Sequence, residues 1–389
     1  MTAYKRVVLA LCTLAFFATM VARLVISPVV PDIVAAFGTS NAAVGLALSA
    51  MWAAYALSQF PSGVLGDRFG ERRVILAGLA TTTVTALALA LSPSFPVFVL
   101  FAVALGAGAG LHYSVAASLL TKQFDAVGRA IGVHGAGAPL AGLLAPIAAA
   151  LVGAAFGWRY AVAIGAVVAF AVLVAFALAI RPTPPSRPDR SIASGLDPRT
   201  LRTYATDRRV RYTTVIAICC GFSWQATASF LPAFLEANHG LSRTAAGVAF
   251  SGYFVVQGVG QPLLGLVTDR FGTDRAIAGA VAIAACGYAL LVTTSGPVAL
   301  SVSLLFVGVG MSWTAPVESR FMASFSDADR GSAFGLVRTV YNLVAASGSV
   351  VVGSLADLFG WAAAFGSLAV LLGALLALVV SNRLFGLGL

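Results

Sequence analysis

Apolar runs of about 20 residues recur down the whole chain, separated by short polar stretches rather than by alternating positions. Each run is long enough to cross a hydrocarbon core of roughly 30 Å as a helix. They fall at 6–30, 43–66, 73–92, 96–121, 130–153, 159–180, 210–235, 244–268, 276–294, 297–322, 333–355 and 362–381, which predicts twelve membrane helices. A transmembrane β-barrel would instead alternate polar and apolar positions over strands of about 10 residues, so the continuous runs exclude it. Composition agrees: 59% of the 389 residues are hydrophobic and only 10% are charged. A soluble bundle of that make-up would have almost nothing to face water with. The abundant glycine, 40 residues, suits close approach of helices in lipid.

The polar stretches carry the topology. Lys5 and Arg6, then Arg68, Arg72 and Arg73, Lys122 and Arg129, the basic residues from Arg181 to Arg211, Arg270 and Arg275, Arg330, and Arg383 all fall on one side if the spans alternate. The other side receives Arg159 and Arg243. Basic loops stay in the cytoplasm, so both termini are expected there, in a multi-pass protein of the cell membrane. The net charge of +10 is therefore topological. No loop is large enough for a nucleic-acid-binding domain, and basic and aromatic residues do not interleave as such binding needs. The first run follows Lys5 and Arg6 as a leader peptide would, but it is too long, lacks a small-residue cleavage site, and reads as the first membrane helix. Cys12, Cys219, Cys220 and Cys286 lie in apolar runs, where they act as small hydrophobes. No metal or cofactor is expected, and the partners are the bilayer, a small solute and protons. The chain is expected to be monomeric.

One polar sequence occurs twice. Gly63-Val-Leu-Gly-Asp67-Arg68-Phe69-Gly70-Glu-Arg72-Arg73 is matched by Gly265-Leu-Val-Thr-Asp269-Arg270-Phe271-Gly272-Thr-Asp-Arg275. The repeat continues with Gly128 and Gly132 against Gly331 and Gly335, and Gly157-Trp158 against Gly360-Trp361, at an offset of about 203. His112-Tyr113 faces Ser312-Trp313 at an offset of 200. The expected architecture is an all-α membrane protein with twelve transmembrane helices in two pseudo-symmetric six-helix bundles. The bundles are expected over 1–180 and 209–389, joined by a proline- and arginine-rich cytoplasmic linker over 181–208. Part of that linker, Leu196 to Arg211, reads either as a short interfacial helix or as disordered chain. Two parallel halves of this kind can rock to expose a site to each side of the membrane in turn.

These residues carry a resemblance to the major facilitator superfamily over essentially the whole length. Gly63, Leu65, Asp67, Arg68, Gly70 and Arg72/Arg73 fit that family's loop signature between helices 2 and 3, and Gly265, Asp269, Arg270, Gly272 and Arg275 fit its second copy between helices 8 and 9. The resemblance implies secondary transport. It implies that Asp67 and Asp269 sit in gating loops, that Gly63 lets helix 2 approach helix 11, and that helices 1, 4, 7 and 10 line a central cavity. Family drug–proton antiporters carry a Gly-Pro signature in helix 5 and an arginine early in helix 4. Here Ala138 precedes Pro139, and Ala102 stands at the helix 4 position. The helix 1 arginine followed by Ser27-Pro28-Val-Val-Pro31-Asp32 is more similar to anion-handling branches.

Charges at bilayer depth are costly and mark function or pairing. Arg23 in the first run is the leading candidate for binding an anion, since a guanidinium forks onto carboxylates and oxyanions. An intramembrane ion pair or snorkelling would explain it structurally. Other candidate substrate contacts are His112, Tyr113, Trp224, Gln225, Tyr253, Gln257 and Trp313, each equally explicable as packing. Candidate proton carriers are Asp32, His112, His134 and Glu318. Candidate gating residues are Gly63, Asp67, Arg68, Gly70, Arg72, Asp269, Arg270, Gly272, Glu318 and Arg338, with Arg338 the suggested partner of Glu318. His239 is expected in a solvated outer loop. The sequence therefore reads as a non-enzymatic, proton-coupled transporter of a small anion. The alternatives are a proton-driven exporter of hydrophobic compounds and a receptor that binds without transporting. No Gly-x-x-x-x-Gly-Lys-Ser/Thr loop exists for ATP.

Overall fold

The computed structural model describes residues 3–189, 206–325 and 330–386. Among them the chain is entirely helical, without a strand. The first half comprises α1 (Ala3–Leu24), a 3-10 turn (Ser27–Val29), α2 (Val30–Phe37), α3 (Asn41–Phe69), α4 (Glu71–Ala90), α5 (Phe95–Gly110), α6 (Tyr113–Gln123), α7 (Val127–Gly135), α8 (Gly137–Phe156) and α9 (Trp158–Ala179). The second comprises α10 (Arg208–His239), α11 (Arg243–Phe271), α12 (Thr273–Thr293), α13 (Pro297–Gly310), α14 (Thr314–Ser324), α15 (Arg330–Ala345), α16 (Ser347–Phe359) and α17 (Trp361–Leu384). The expected interfacial segment Leu196–Arg211 lies mostly outside the described residues, and its last residues already belong to α10.

Eleven helical stretches among the described residues are long and apolar enough to cross a membrane. The expected span 244–268 is a continuous helix, α11, but it is not one of the eleven. Its interior carries Gln257 and Gln261 and its end Asp269 and Arg270. The protein is an all-α, multi-pass membrane protein. Large apolar side chains such as Leu178, Val298 and Val370 point outward, as they do where lipid replaces water.

The chain clusters into two compact units, one over Met1–Thr39 and Leu46–Gly195, the other over Ser40–Gly45 and Leu196–Leu389. Within the first, α1 packs against α8 and α9, and α4 against α5 and α9. Within the second, α10 packs against α16 and α17, and α12 against α13 and α17. These are the same pairings at repeat-related positions, so the duplication legible in the loops extends to the packing.

Several expected single spans are broken helices. The first is interrupted just after Arg23, where Ser27-Pro28 opens a 3-10 turn and Pro31 sits in the first turn of α2. Proline is tolerated at such starts because the missing N–H would have no partner there. The others break between α5 and α6 at Leu111–His112, at the repeat-related Met311–Trp313, between α7 and α8 at Ala136, and between α15 and α16 at Ala346. Mid-membrane breaks free backbone groups and are characteristic places for ligand and ion sites.

Candidate functional site

Arg23 occupies the last turn of α1, where a cation also complements the helix dipole. It is 2% exposed. Its Nε donates to the Thr19 carbonyl at 3.0 Å and one terminal nitrogen, Nη2, to Met20 Sδ at 2.8 Å. Its Cζ stands 4.5 Å from the Trp52 ring centroid and 4.0 Å from that of Tyr55. Trp52 and Tyr55 are three residues apart on α3, so they share a face and present two aromatic surfaces to one cation. The other terminal nitrogen, Nη1, is buried and makes no hydrogen bond among the described residues. Arg23 forms no salt bridge there either. The ion-pair explanation for its presence therefore fails within the described residues. What remains is a desolvated guanidinium whose Nη1 makes no hydrogen bond among the described residues.

Two histidines meet in the same unit. His112 lies in the α5/α6 break and His134 in the last turn of α7, before the α7/α8 break. Both are completely buried, and their ring centroids are 5.4 Å apart. Phe16 from α1 lies 6.3 Å from the first and 5.3 Å from the second, and the Tyr113 ring is 5.4 Å from His134. Glycines pack closely against backbone in the same unit: a Cβ on Gly137 would come 2.6 Å from the Thr13 carbonyl, and one on Gly78 3.0 Å from that of Gly108. Asp32 is separate from this group, half-buried in the first turn of α2.

The second unit brings other candidates together. Trp224 Nε1 donates to Gln257 Oε1 at 3.3 Å, while Gln257 Nε2 donates to the Met311 carbonyl at 2.9 Å. Gln257 thus ties α10 to the α13/α14 break. Gln225, Tyr253 and Trp313 are each buried with a polar atom that has no partner among the described residues (Oε1, the phenol oxygen and Nε1). Tyr253 stacks on Phe250 at 6.2 Å, and Trp313 meets Tyr341 edge-on at 6.2 Å. Glu318 lies on α14 and Arg338 on α15. His239 departs from expectation: its Nε2 is bonded to the Leu291 carbonyl at 2.9 Å and its ring packs edge-on against Phe234, so it caps packing rather than facing solvent.

The two repeated loops share one geometry. Gly70 and Gly272 both adopt φ +87° immediately before α4 and α12, and Arg68 and Arg270 each lie 5.4 Å from the following phenylalanine ring. The first loop also holds the start of the linker. Ser186 and Arg187 donate their backbone N–H groups to the Asp67 carbonyl at 2.9 Å, and the Ser186 hydroxyl donates to Asp67 Oδ1 at 3.1 Å. Arg72 donates to the carbonyls of Ile180 at 2.7 Å and Ala177 at 2.6 Å. A Cβ on Gly70 would collide with the Thr183 carbonyl, whereas one on Gly272 meets nothing within 4 Å. Gly70→Ala should therefore cost about 1–3 kcal/mol for the backbone conformation and further for the clash. Gly272→Ala should cost the conformational part alone. Thermal unfolding midpoints of the two variants in detergent test this ordering, and equal shifts would refute it. Space beside Gly63 is open. Inside the first unit, Gly106 and Gly110 abut the Met51 and Tyr55 carbonyls.

A family model described as the Major Facilitator Superfamily matches residues 12–234 and again 213–384. The chain belongs to the major facilitator superfamily. Secondary transport of a small solute follows from that membership, and the protein is a transporter rather than an enzyme. A probable sulfoacetate transporter of Cupriavidus necator is 24% identical over 385 residues, covering 92% of this chain and 88% of that protein. A tetracenomycin C resistance and export protein of Streptomyces glaucescens is 25% identical, covering 78% of this chain and 66% of that protein. An MFS-type transporter of Mycobacterium tuberculosis is 32% identical over 147 residues, 37% of this chain and only 25% of that protein's length. Among solved structures, a bacterial homologue of the human lysosomal transporter Spinster superposes with a TM-score of 0.84 at 18% identity, covering 98% of both chains. That likeness concerns the fold.

Within this facilitator fold, sequence reasoning missed a repeated pair of ionic contacts at helix ends. Lys122 at the end of α6 pairs with Glu71 at the start of α4, where Ser118 also donates. Arg320 near the end of α14 pairs with Asp274 at the start of α12 and reaches the Thr213 hydroxyl at 3.1 Å. In the loop alignment Glu71 falls opposite Thr273, one residue before Asp274, so the acid sits one place later in the second copy. The aromatic pair around Arg23 was legible as Trp52 and Tyr55 at helical spacing. The buried Thr227–Tyr288 bond, 2.5 Å between hydroxyl oxygens, had no such signal.

Proposed function

We infer that the chain is a secondary active transporter of a small anionic solute, working by alternating access and driven by proton symport. The observation that carries this reading is Arg23: a buried guanidinium with two aromatic walls and, among the described residues, no salt bridge and one terminal nitrogen, Nη1, without a hydrogen bond. A charge left unneutralised in a low-dielectric site is costly, and an anionic ligand offsets that cost while accepting from Nη1. The overall similarity to a protein named for sulfoacetate transport is compatible with it. His112 and Tyr113 complete the substrate contacts in the first half, and Trp224, Gln225, Tyr253, Gln257 and Trp313 those in the second. The remaining features of the proposal are twelve spans in two six-span halves over 1–180 and 209–389, a linker over 181–208, both termini in the cytoplasm, and a monomer in the cell membrane. Asp67, Asp269 and their neighbouring glycines and arginines act in gating, with the Glu318–Arg338 pair.

Purified protein in sealed liposomes, with an acid-outside pH gradient imposed, provides the test. Carboxylates, sulfonates and phosphate monoesters are offered separately, each labelled, and at least one should accumulate above its equilibrium level. Expulsion of lipophilic cations with no anion uptake would establish the export alternative. Ligand-dependent stabilisation without flux of any solute would make the protein a receptor.

A further inference from the structure

We propose that the second unit holds a site for an anionic phospholipid, in a crevice where α10 and α12 begin and α17 ends. The site lies apart from the solute contacts proposed above. It depends on that reading only for the side of the membrane, the cytoplasmic one.

The crevice has a volume of about 260 Å³. Pockets for whole organic ligands run from about 300 to 1,000 Å³, so this one accepts a headgroup with its phosphate and leaves acyl chains outside. Its mouth is polar, formed by Tyr212, Asp274, Asn382 and Arg383, and its floor is apolar, with Ala278 and Val379. Val380 and Leu384 carry the apolar wall outward and are 39% and 74% exposed. A crevice that is polar at the helix ends and apolar along its flank matches a charged head joined to hydrocarbon. A soluble phosphate ester would use the mouth alone.

Charge selects the head. Arg383 is exposed at the mouth. Arg208 and Arg209 are exposed four and three residues before Tyr212, hence on the same face of α10. Arg320 touches two of the lining residues, pairing with Asp274 and standing 5.1 Å from the Tyr212 ring. The acids of these three helix ends are already engaged, Asp274 by Arg320 and Asp207 by the first N–H groups of α10. Positive charge is therefore in excess around the crevice. Basic clefts between membrane helices on the cytoplasmic side take anionic headgroups.

In the first unit the chain fills the corresponding place itself. The repeated loops set Arg72 opposite Asp274, and the Gly-Trp repeat sets Ala177 and Ile180 of α9 and its end opposite Val380 and Arg383 of α17. Arg72 reaches the carbonyls of Ala177 and Ile180 at 2.6 and 2.7 Å, while its backbone N–H donates to the Thr183 hydroxyl at 2.9 Å. Asp274 is too short for that reach and turns to Arg320 instead. Exchange of a long side chain for a short one opens the crevice. The first unit keeps a basic residue at the matching helix end, Arg181, whose guanidinium lies 4.8 Å from the Tyr4 ring. It thus supplies an internal control with similar charge and an occupied seat.

Lipid-stripped protein in a neutral detergent is titrated with dioleoylphosphatidylglycerol, with dioleoylphosphatidylcholine and with glycerol 3-phosphate, and the unfolding midpoint reports binding. The glycerol lipid should raise the midpoint saturably, and the other two should not. Arg383→Gln should weaken that lipid about fivefold, and Arg209→Gln combined with Arg383→Gln about 25-fold, each surface arginine contributing about a factor of five. Ala278→Phe fills the floor without changing charge and should abolish the saturable shift. Arg181→Gln should leave binding unchanged. Each variant's midpoint without lipid shows that it is folded, and Arg383 and Arg209 are exposed positions that tolerate exchange. Equal stabilisation by the choline lipid would mean that charge is not recognised. Equal stabilisation by glycerol 3-phosphate would mean a site for soluble esters, and equal losses in Arg181→Gln and Arg383→Gln would mean diffuse attraction. Any of the three overturns the proposal and leaves anion transport, which is read by flux, untouched.

Discussion

Arg23→Ala should weaken anion binding by roughly 10–100-fold and reduce anion accumulation in liposomes to near background. A hydrogen bond to a charged group contributes about 1.5–3 kcal/mol, and each 1.4 kcal/mol is about a factor of ten in affinity. Arg23→Lys keeps the charge but loses the planar fork and its stacking between Trp52 and Tyr55, so an intermediate affinity is expected. The same variants should behave oppositely in stability. Removing an unneutralised buried cation relieves a desolvation cost, so the unliganded Arg23→Ala protein should melt no lower than the parent. Calorimetric binding and thermal unfolding on one preparation separate the two effects. Unchanged flux in Arg23→Ala would remove Arg23 from the site, and a large loss of stability would make it a structural residue.

Lys122→Met should be among the most destabilising single changes at the helix ends. Its partner Glu71 is 2% exposed, and the Lys122 side chain is 46% exposed. Deleting the lysine strands a carboxylate that cannot rehydrate, costing about 1–3 kcal/mol by the usual penalty for an unsatisfied buried group. Adding Glu71→Gln should recover much of the loss, because the neutral amide needs no counter-charge. The related pair is built with the burial reversed: the Arg320 side chain is 12% exposed and that of Asp274 is 53% exposed. Asp274→Asn should therefore be mild, since the Thr213 hydroxyl and the Tyr212 ring still hold Arg320. Thermal midpoints of the three variants, measured in detergent, test this. A Lys122→Met midpoint equal to that of Asp274→Asn would contradict the burial argument.

The membrane-spanning runs, the duplication and the family were legible because each rests on patterns of many residues. Apolar runs need only length, and the Asp-Arg-Phe-Gly loops need only recur. Most of the helix breaks were hidden, since Leu111 and Ala136 lie in glycine-rich apolar sequence that reads the same whether a helix continues or stops. The Ser27-Pro28 break was marked by its prolines. Within the candidate site, Arg23 stood out because a charge in an apolar run is expensive wherever it lies. The meeting of His112 with His134 could not be read, because two helices with no sequence relation to one another bring them together. The site residues of α10, α11 and the α13/α14 break were named individually, but the bridging role of Gln257 depends on a backbone carbonyl, at Met311, that carries no identity in the sequence.

The docking of residues 181–187 on the Asp67 loop bears on how this chain can be cut in two. A break placed at the apparent end of the ninth helix would strip the first fragment of the hydrogen bonds from Ser186 and Arg187 to Asp67, and leave Gly70 facing an empty place. A break after residue 189 keeps that lining with the fragment it serves. For fragment complementation, tag insertion or proteolytic nicking, the useful frontier lies some ten residues beyond the point where the hydrophobic pattern ends.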